Sequence, residues 1–164
     1  MLTRKTARVL LFDGDNRLLL VRMHDPQVGD ASGKVLTRAY WVTIGGEMEP
    51  HEDLASAARR ELMEETGLAD VRLGPSVWTT EHVLKIRGED RLLVETFLIA
   101  WTGTTALNRE GWTDLERDVI HDMKWWTVAE VRSTSETIFP TSLPQHIPAL
   151  LGGDIPASPF AIAP

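Results

Sequence analysis

No cysteine occurs among the 164 residues. That excludes a disulfide framework, a thiolate nucleophile and a thiolate-ligated metal centre. No apolar run approaches the roughly 18 residues needed to span a membrane. The start, MLTRKTARVLLF, is basic and then apolar, but it lacks a small-residue cleavage site and is broken by Asp13, so it reads as a strand rather than a signal peptide. Basic residues are in deficit: 17 Lys and Arg stand against 24 Asp and Glu, a formal net charge of −7. This balance argues against a broad nucleic-acid or anionic-membrane surface. It leaves room for a small anionic substrate, because bound divalent cations reverse the local field. The lack of disulfides fits the cytoplasm.

The composition that remains, 43% hydrophobic and 25% charged, is that of an ordinary globular protein. The length suits one domain with a good core. We read a single domain over residues 1–151 and a Pro/Ala-rich tail over 152–164, expected to be loosely held. There is no internal repeat.

Residues 4–12 and 17–23 are apolar runs around Asp13-Gly14-Asp15-Asn16, the pattern of a hairpin. A polar loop follows over 24–37, then a short strand at Val42–Ile44 and the pair Gly45-Gly46, where the backbone can approach a ligand closely. A helix is expected from Pro50–Asp53 to Thr66, with Gly67 as its C-terminal cap. Beyond it, Val71–Leu73 and Val77–Ile86 read as extended, Arg87–Asp90 as a turn, and Arg91–Trp101 as the longest strand. Residues 102–114 are a loop and Leu115–Ile120 a short helix. Met123–Thr127 is a strand in which one of Trp125 and Trp126 faces the core. A helix begins at Val128–Arg132, and another spans Leu143–Leu151. Strands on both sides of one helix, with a second helix late in the chain, predict an α/β fold with a mixed sheet between helices.

The informative stretch is Gly46 to Leu68, GEMEPHEDLASAARRELMEETGL. Glu61, Glu64 and Glu65 recur at i, i+3 and i+4, so they share a helix face on which like charges repel. At about 100° per residue, Glu61 and Glu65 fall on the arc of Leu54 and Ala58, with Glu64 at its edge. The carboxylates therefore continue the stripe that faces the protein. Inward carboxylates are costly unless paired or bound to metal, and oxygen-only ligands suit Mg²⁺ or Mn²⁺. A solvated acidic face is the ordinary reading of an isolated E-x-x-E-E.

The rest of the stretch favours the metal. From Gly46 the spacing is G-x5-E-x7-R-E-U-x-E-E-x-G-U, where U is bulky aliphatic, through Glu52, Arg60, Glu61, Leu62, Glu64, Glu65, Gly67 and Leu68. At ordinary residue usage such a match arises by chance on the order of once in a billion starting positions. It resembles the signature of the Nudix hydrolases at every fixed position. The resemblance implies a Nudix-type α/β/α sandwich and a Mg²⁺-dependent (or Mn²⁺-dependent) hydrolase of a nucleoside diphosphate linked to another moiety. The implied metal ligands are Glu61, Glu64 and Glu65, assisted by the Gly45 or Gly46 carbonyl. It also implies that Glu52 and Arg60 form an internal ion pair, and that Glu61 or Glu64 acts as general base. Some relatives add an acid from beyond the signature, for which Glu116, Asp118 and Glu95 are candidates. Relatives often carry Pro at the position of Ile44 and Gly at that of His51.

Outside the signature, Arg22 and Arg38 are candidate phosphate contacts, and Tyr40, Trp41 and His82 are candidate surfaces for a base, with Glu95 nearby. Each also has an ordinary reading as a surface charge, a core aromatic or a satisfied strand carboxylate. The expected partner is a small nucleoside diphosphate derivative, bound by a monomer or homodimer. A nucleoside triphosphate, a modified form of one, ADP-ribose and a nucleotide-sugar remain open as substrates, as does a non-catalytic nucleotide-sensing module.

Overall fold

Two short apolar runs, Val9–Phe12 and Leu18–Val21, are hydrophobic at every position, as expected of strands covered on both faces. The computed structural model, which describes residues 1–164, bears this out. Strand β1 (Leu2–Phe12) sends Ala7, Val9 and Leu11 into one core and Leu10 and Phe12 into another. β2 (Leu18–Met23) divides Leu19 and Val21 from Leu18 and Leu20 in the same way. The sheet therefore lies between two hydrophobic cores.

The chain continues through β3 (Val28–Gly29), β4 (Tyr40–Glu47), α1 (Leu54–Thr66), β5 (Val71–Ile86) and β6 (Glu89–Thr102). It ends with α2 (Asp114–Val119), β7 (Ile120–Trp126), α3 (Val128–Ser133), β8 (Ile138–Phe139), α4 (Leu143–Leu151) and β9 (Phe160–Ala161). The main strand order is β3-β5-β6-β1-β2-β4-β8, with β7 on β2 and β9 on β5. β1 runs parallel to β6 and antiparallel to β4, so the sheet is mixed. Ala57, Ala58 and Leu62 of α1 pack in the first core, while Leu143, Ile147 and Leu150 of α4 and Val131 of α3 pack in the second. This is the expected sandwich. No helix is long and apolar enough to cross a membrane.

Several elements differ from the sequence reading. Gly74-Pro75 does not divide a strand: β5 runs 16 residues through it, with register shifts around Ser76, and is longer than β6 at 14. A proline can sit at such an irregularity without losing a ladder bond. β4 extends through Gly45-Gly46, because β1 supplies partners opposite both glycines. The loop over 24–37 contributes β3 to the edge of β5.

The tail is held. β9 pairs with β5, Ile162 is only 8% exposed, and the Thr141 and Ser142 hydroxyls donate to the Pro164 and Ala163 carbonyls. A Pro/Ala-rich composition gives no hint of this, because the docking rests on backbone bonding and one isoleucine. We expect Ile162→Ala to cost about 2 kcal/mol, the low end for a core aliphatic truncated near the surface. Urea unfolding measures it, and truncation after Asp154 should cost more.

Candidate active site

Helix α1 begins where Asp53 accepts from the Ser56 backbone N–H at 2.7 Å, and it ends at Gly67 with φ of 70°, a left-handed cap bonded back to the Met63 carbonyl. Between these caps, Ala57, Ala58 and Leu62 fix the helix on the sheet, and their face carries Glu61 and Glu65 inward. These two carboxylates are 7% and 5% exposed. Glu64 stands at the rim with its side chain 36% exposed.

A third carboxylate arrives from α2. Thr113 caps that helix by accepting from the Glu116 N–H at 3.1 Å, and Glu116 returns an oxygen to the Thr113 N–H at 3.0 Å. This reciprocal box pins Glu116. Carboxylate oxygens of Glu61, Glu65 and Glu116 lie within 4.8 Å of one another. The sequence offered Glu116, Asp118 and Glu95 without order. The structure brings in Glu116, leaves Asp118 exposed, and commits Glu95 elsewhere. The Thr113–Glu116 spacing, a capping-box pattern, was the signal that separates Glu116 from Asp118.

Burial pushes the Glu65 carboxyl well above its usual range, and the Glu61 charge adds to the rise while Arg8 opposes it. Burial also raises Glu61, with Arg60 working against it. Two buried carboxylates and a third within 4.8 Å of them repel one another, with Arg60 and Arg8 as their cationic neighbours. Three hard oxygen donors in that condition fit a divalent cation.

Arg60 organises the entrance. It meets Glu52 through two bonds of 2.8 Å, reaches Glu61 at 3.0 Å and the Glu47 carbonyl at 3.0 Å, and lies 3.5 Å from Glu64. The ion pair implied by the resemblance is therefore present, and it ties the loop before α1 to the carboxylate face. The hydrogen bonds from Arg60 hold the Glu52 carboxyl down to about 2. A depressed carboxyl contributes stability that is complete above its unfolded value of about 4.3 and fades as pH falls towards 2. Glu52→Gln should therefore lower the melting temperature by a constant amount from pH 7 to 5. That difference should narrow below about pH 4.3, which melts across the acid range will check.

The two glycines have different tasks. A Cβ on Gly45 would sit 2.1 Å from the Ala7 carbonyl oxygen, and its φ is 147°. A Cβ on Gly46 would sit 2.5 Å from a Glu61 oxygen. Gly46 thus gives the carboxylate its space, and Gly45 lets β4 close on β1. The Gly45 carbonyl accepts from Arg8 at 3.3 Å. His51 has a φ of 71°, a left-handed value that accounts for glycine being common there in relatives.

The remaining candidates separate. Arg22 on β2 and Arg38 before β4 are exposed. Tyr40 is half-buried, edge-on to Phe139 at 5.4 Å; burial and then Asp25 push its hydroxyl up. Trp41 is a correction. It is 4% exposed and packs edge-on against Trp126 at 5.0 Å within the second core, so it presents no face to a ligand. The reason is the strand period: Trp41 and Tyr40 point to opposite sides of β4. Glu95 is a satisfied strand carboxylate, accepting from Arg8 at 2.6 Å, Thr6 at 3.2 Å and Thr80 at 3.3 Å. His82, two residues from Thr80, has a buried Nδ1 with no partner, and burial pushes its pKa down against the pull of Glu95.

Arg8 went unnoticed in the sequence. The available signal was complementarity: Arg8 directly before the Val9–Phe12 run of β1, and one opposite charge, Glu95, within the apolar run of β6. Trp112 was missed too. Its indole N–H donates to the Glu65 carbonyl at 2.7 Å, tying the end of α1 to the loop before α2.

A mixed sheet lies between helices, and beside it two buried carboxylates of α1, Glu61 and Glu65, meet Glu116 of α2. The NUDIX domain family model matches residues 2–145, and the chain belongs to the Nudix family, hydrolases acting on pyrophosphate bonds. Among solved structures, a MutT protein from Methanosarcina mazei superposes with a TM-score of 0.61 at 14% identity, over 93% of this chain and 96% of that one. A C. elegans Ap4A hydrolase gives 0.60 at 17% identity, over 92% and 99%. An ADP-ribose pyrophosphatase from Streptococcus suis gives 0.58 at 12% identity, over 97% and 98%. At these identities the likeness is one of fold. No curated protein matches the sequence.

Proposed function

We propose that this protein is a Mg²⁺- or Mn²⁺-dependent hydrolase that cleaves the diphosphate of a nucleoside diphosphate derivative. The observation that carries the reading is the meeting of Glu61, Glu65 and Glu116 within 4.8 Å, beside an Arg60 fixed by Glu52. Glu61, Glu65 and Glu116 would hold the cation, with the Gly46 carbonyl as a further oxygen. When bound, the cation supplies charge neutralisation for the diphosphate. The residues do the rest. Glu64 stands outside the triad and open to solvent, and in this reading it takes the proton of the water that attacks phosphorus. Glu61 is buried, is assigned to the cation and is hydrogen-bonded to Arg60 at 3.0 Å, against 3.5 Å from Arg60 to Glu64, which makes it the poorer base. Arg22 and Arg38 are the exposed cations we assign to the departing phosphate, and Tyr40 and His82 are the ring surfaces for the base.

The substrate is a nucleoside triphosphate or a modified form in our preferred reading, on the compactness of the single domain. ADP-ribose is the second reading, since a pyrophosphatase named for it has the same fold. Turnover of nucleoside triphosphates, ADP-ribose, nucleotide-sugars and dinucleoside polyphosphates in Mg²⁺ tests both. One class should stand out in kcat/KM, and Glu64→Gln should lower its kcat by about 10²–10⁴-fold, as for loss of a general base. Equal and negligible turnover by both proteins would make the chain a nucleotide-sensing module.

A further inference from the structure

The partly buried Arg8 is used by none of the chemistry above, yet it touches three parts of the site's frame. Its Nε donates to Glu95 on β6 at 2.6 Å, and its Nη1 donates to the Thr43 and Gly45 carbonyls on β4, each at 3.3 Å. Glu95 is held in turn by Thr6 on β1 and Thr80 on β5. The β4 segment gripped by Arg8 runs straight into Gly46, which packs against the Glu61 carboxylate. One guanidinium thus joins β1, β4 and β6 at the point where the sheet supports the carboxylate nest.

We propose that Arg8, clamped by Glu95, is a positioning residue that sets the Gly45-Gly46 backbone against Glu61 and thereby the geometry of the cation site. The proposal rests on the metal reading above. It makes Glu95 a clamp rather than a substrate ligand. A planar fork is required, because one group must bond a carboxylate and two carbonyls in different directions; an ammonium on a flexible stem does not reproduce that. The alternative is a mere countercharge. Arg8 also feels Glu61 and Glu65, and the two roles predict opposite results. Removing a countercharge beside a cation site strengthens cation binding, whereas removing a strut weakens it.

The experiment is Mn²⁺ titration of the metal-free full chain by calorimetry, for wild type, Arg8→Lys, Arg8→Met and Glu95→Gln, each with its melting curve. We expect all three variants to weaken Mn²⁺ binding by about 10-fold or more, the loss typical of a group that orients metal ligands. Lysine should fail to rescue. If Arg8→Met binds Mn²⁺ more tightly and Arg8→Lys matches wild type, Arg8 is a countercharge and the proposal is overturned. Unchanged affinity alongside a lowered melting temperature overturns it too, leaving Arg8 purely structural. Should Arg8→Met not fold, Arg8→Lys and Glu95→Gln decide between the same outcomes. Absence of Mn²⁺ binding by the wild type would instead defeat the metal reading itself, and this inference with it.

Discussion

Glu65→Gln should inactivate the protein and, in the absence of metal, stabilise it. Two effects of one carboxylate are separated by this result. In the metal-free fold Glu65 is buried against Glu61 and near Glu116, so its charge is opposed by burial and by like charge. Glutamine keeps the shape and removes both costs. Because the folded chain holds the Glu65 and Glu61 protons more tightly than the unfolded chain does, these groups favour the fold most below the ordinary carboxylate value of about 4.3. That contribution is lost as pH rises through the raised values. The melting-temperature advantage of Glu65→Gln should therefore be small near pH 4 and grow towards pH 8. Each kcal/mol recovered corresponds to about 2–4 °C in a chain of this size. Saturating Mg²⁺ should shrink or reverse the advantage, since a ligand at 100 times its Kd stabilises the wild type by about 2.7 kcal/mol. Turnover should fall roughly 10²–10³-fold, as for loss of a preorganised electrostatic group. Scanning calorimetry across pH, with and without Mg²⁺, tests the stability half, and steady-state hydrolysis tests the other.

The second large effect is a contrast between neighbours. Gly45→Ala places a methyl 2.1 Å from the Ala7 carbonyl oxygen, a backbone atom in a paired strand, at a φ of 147°. The strand pair cannot yield without breaking register, so we expect a loss of about 3 kcal/mol or more from overpacking and backbone strain together. The nearest atoms to the new methyl of Gly46→Ala are at the end of the Glu61 side chain, from 2.5 Å. A carboxylate can swing aside at small cost in stability, but it then leaves the nest. Gly46→Ala should stay folded, within about 1 kcal/mol of wild type by urea unfolding, the range of a surface-like change, and lose most of its activity. If Gly45→Ala proved the folded, inactive variant and Gly46→Ala the unfolded one, the assignment of the two glycines would be inverted.

The sequence was most legible where local chemistry and tertiary position agree. The period of α1 placed Glu61 and Glu65 inward because the same arc carries Leu54 and Ala58, and the structure keeps that stripe. Gly67 marked the end of that helix through the cap it forms, and the start was read within Pro50–Asp53, where the structure places the Asp53 cap. Legibility failed where a residue's role depends on a strand far along the chain. Arg8 and Glu95 are 87 residues apart, and neither alone announces its partner. Glu116 was visible as an acid, but the cap that aims it is local while the nest it joins is not. Trp41 looked like a stacking surface because a strand does not reveal from sequence which of its faces is buried. The tail's docking on β5 rests on backbone pairing that composition does not encode.

In the proposed mechanism Glu61, Glu65 and Glu116 together hold one divalent cation. Mn²⁺ titration of the wild type, Glu116→Gln and Asp118→Asn measures this directly. We predict saturable binding by the wild type, a loss of about 10-fold or more in Glu116→Gln, and no change in Asp118→Asn. Equal affinity in all three proteins, or none in the wild type, would contradict it.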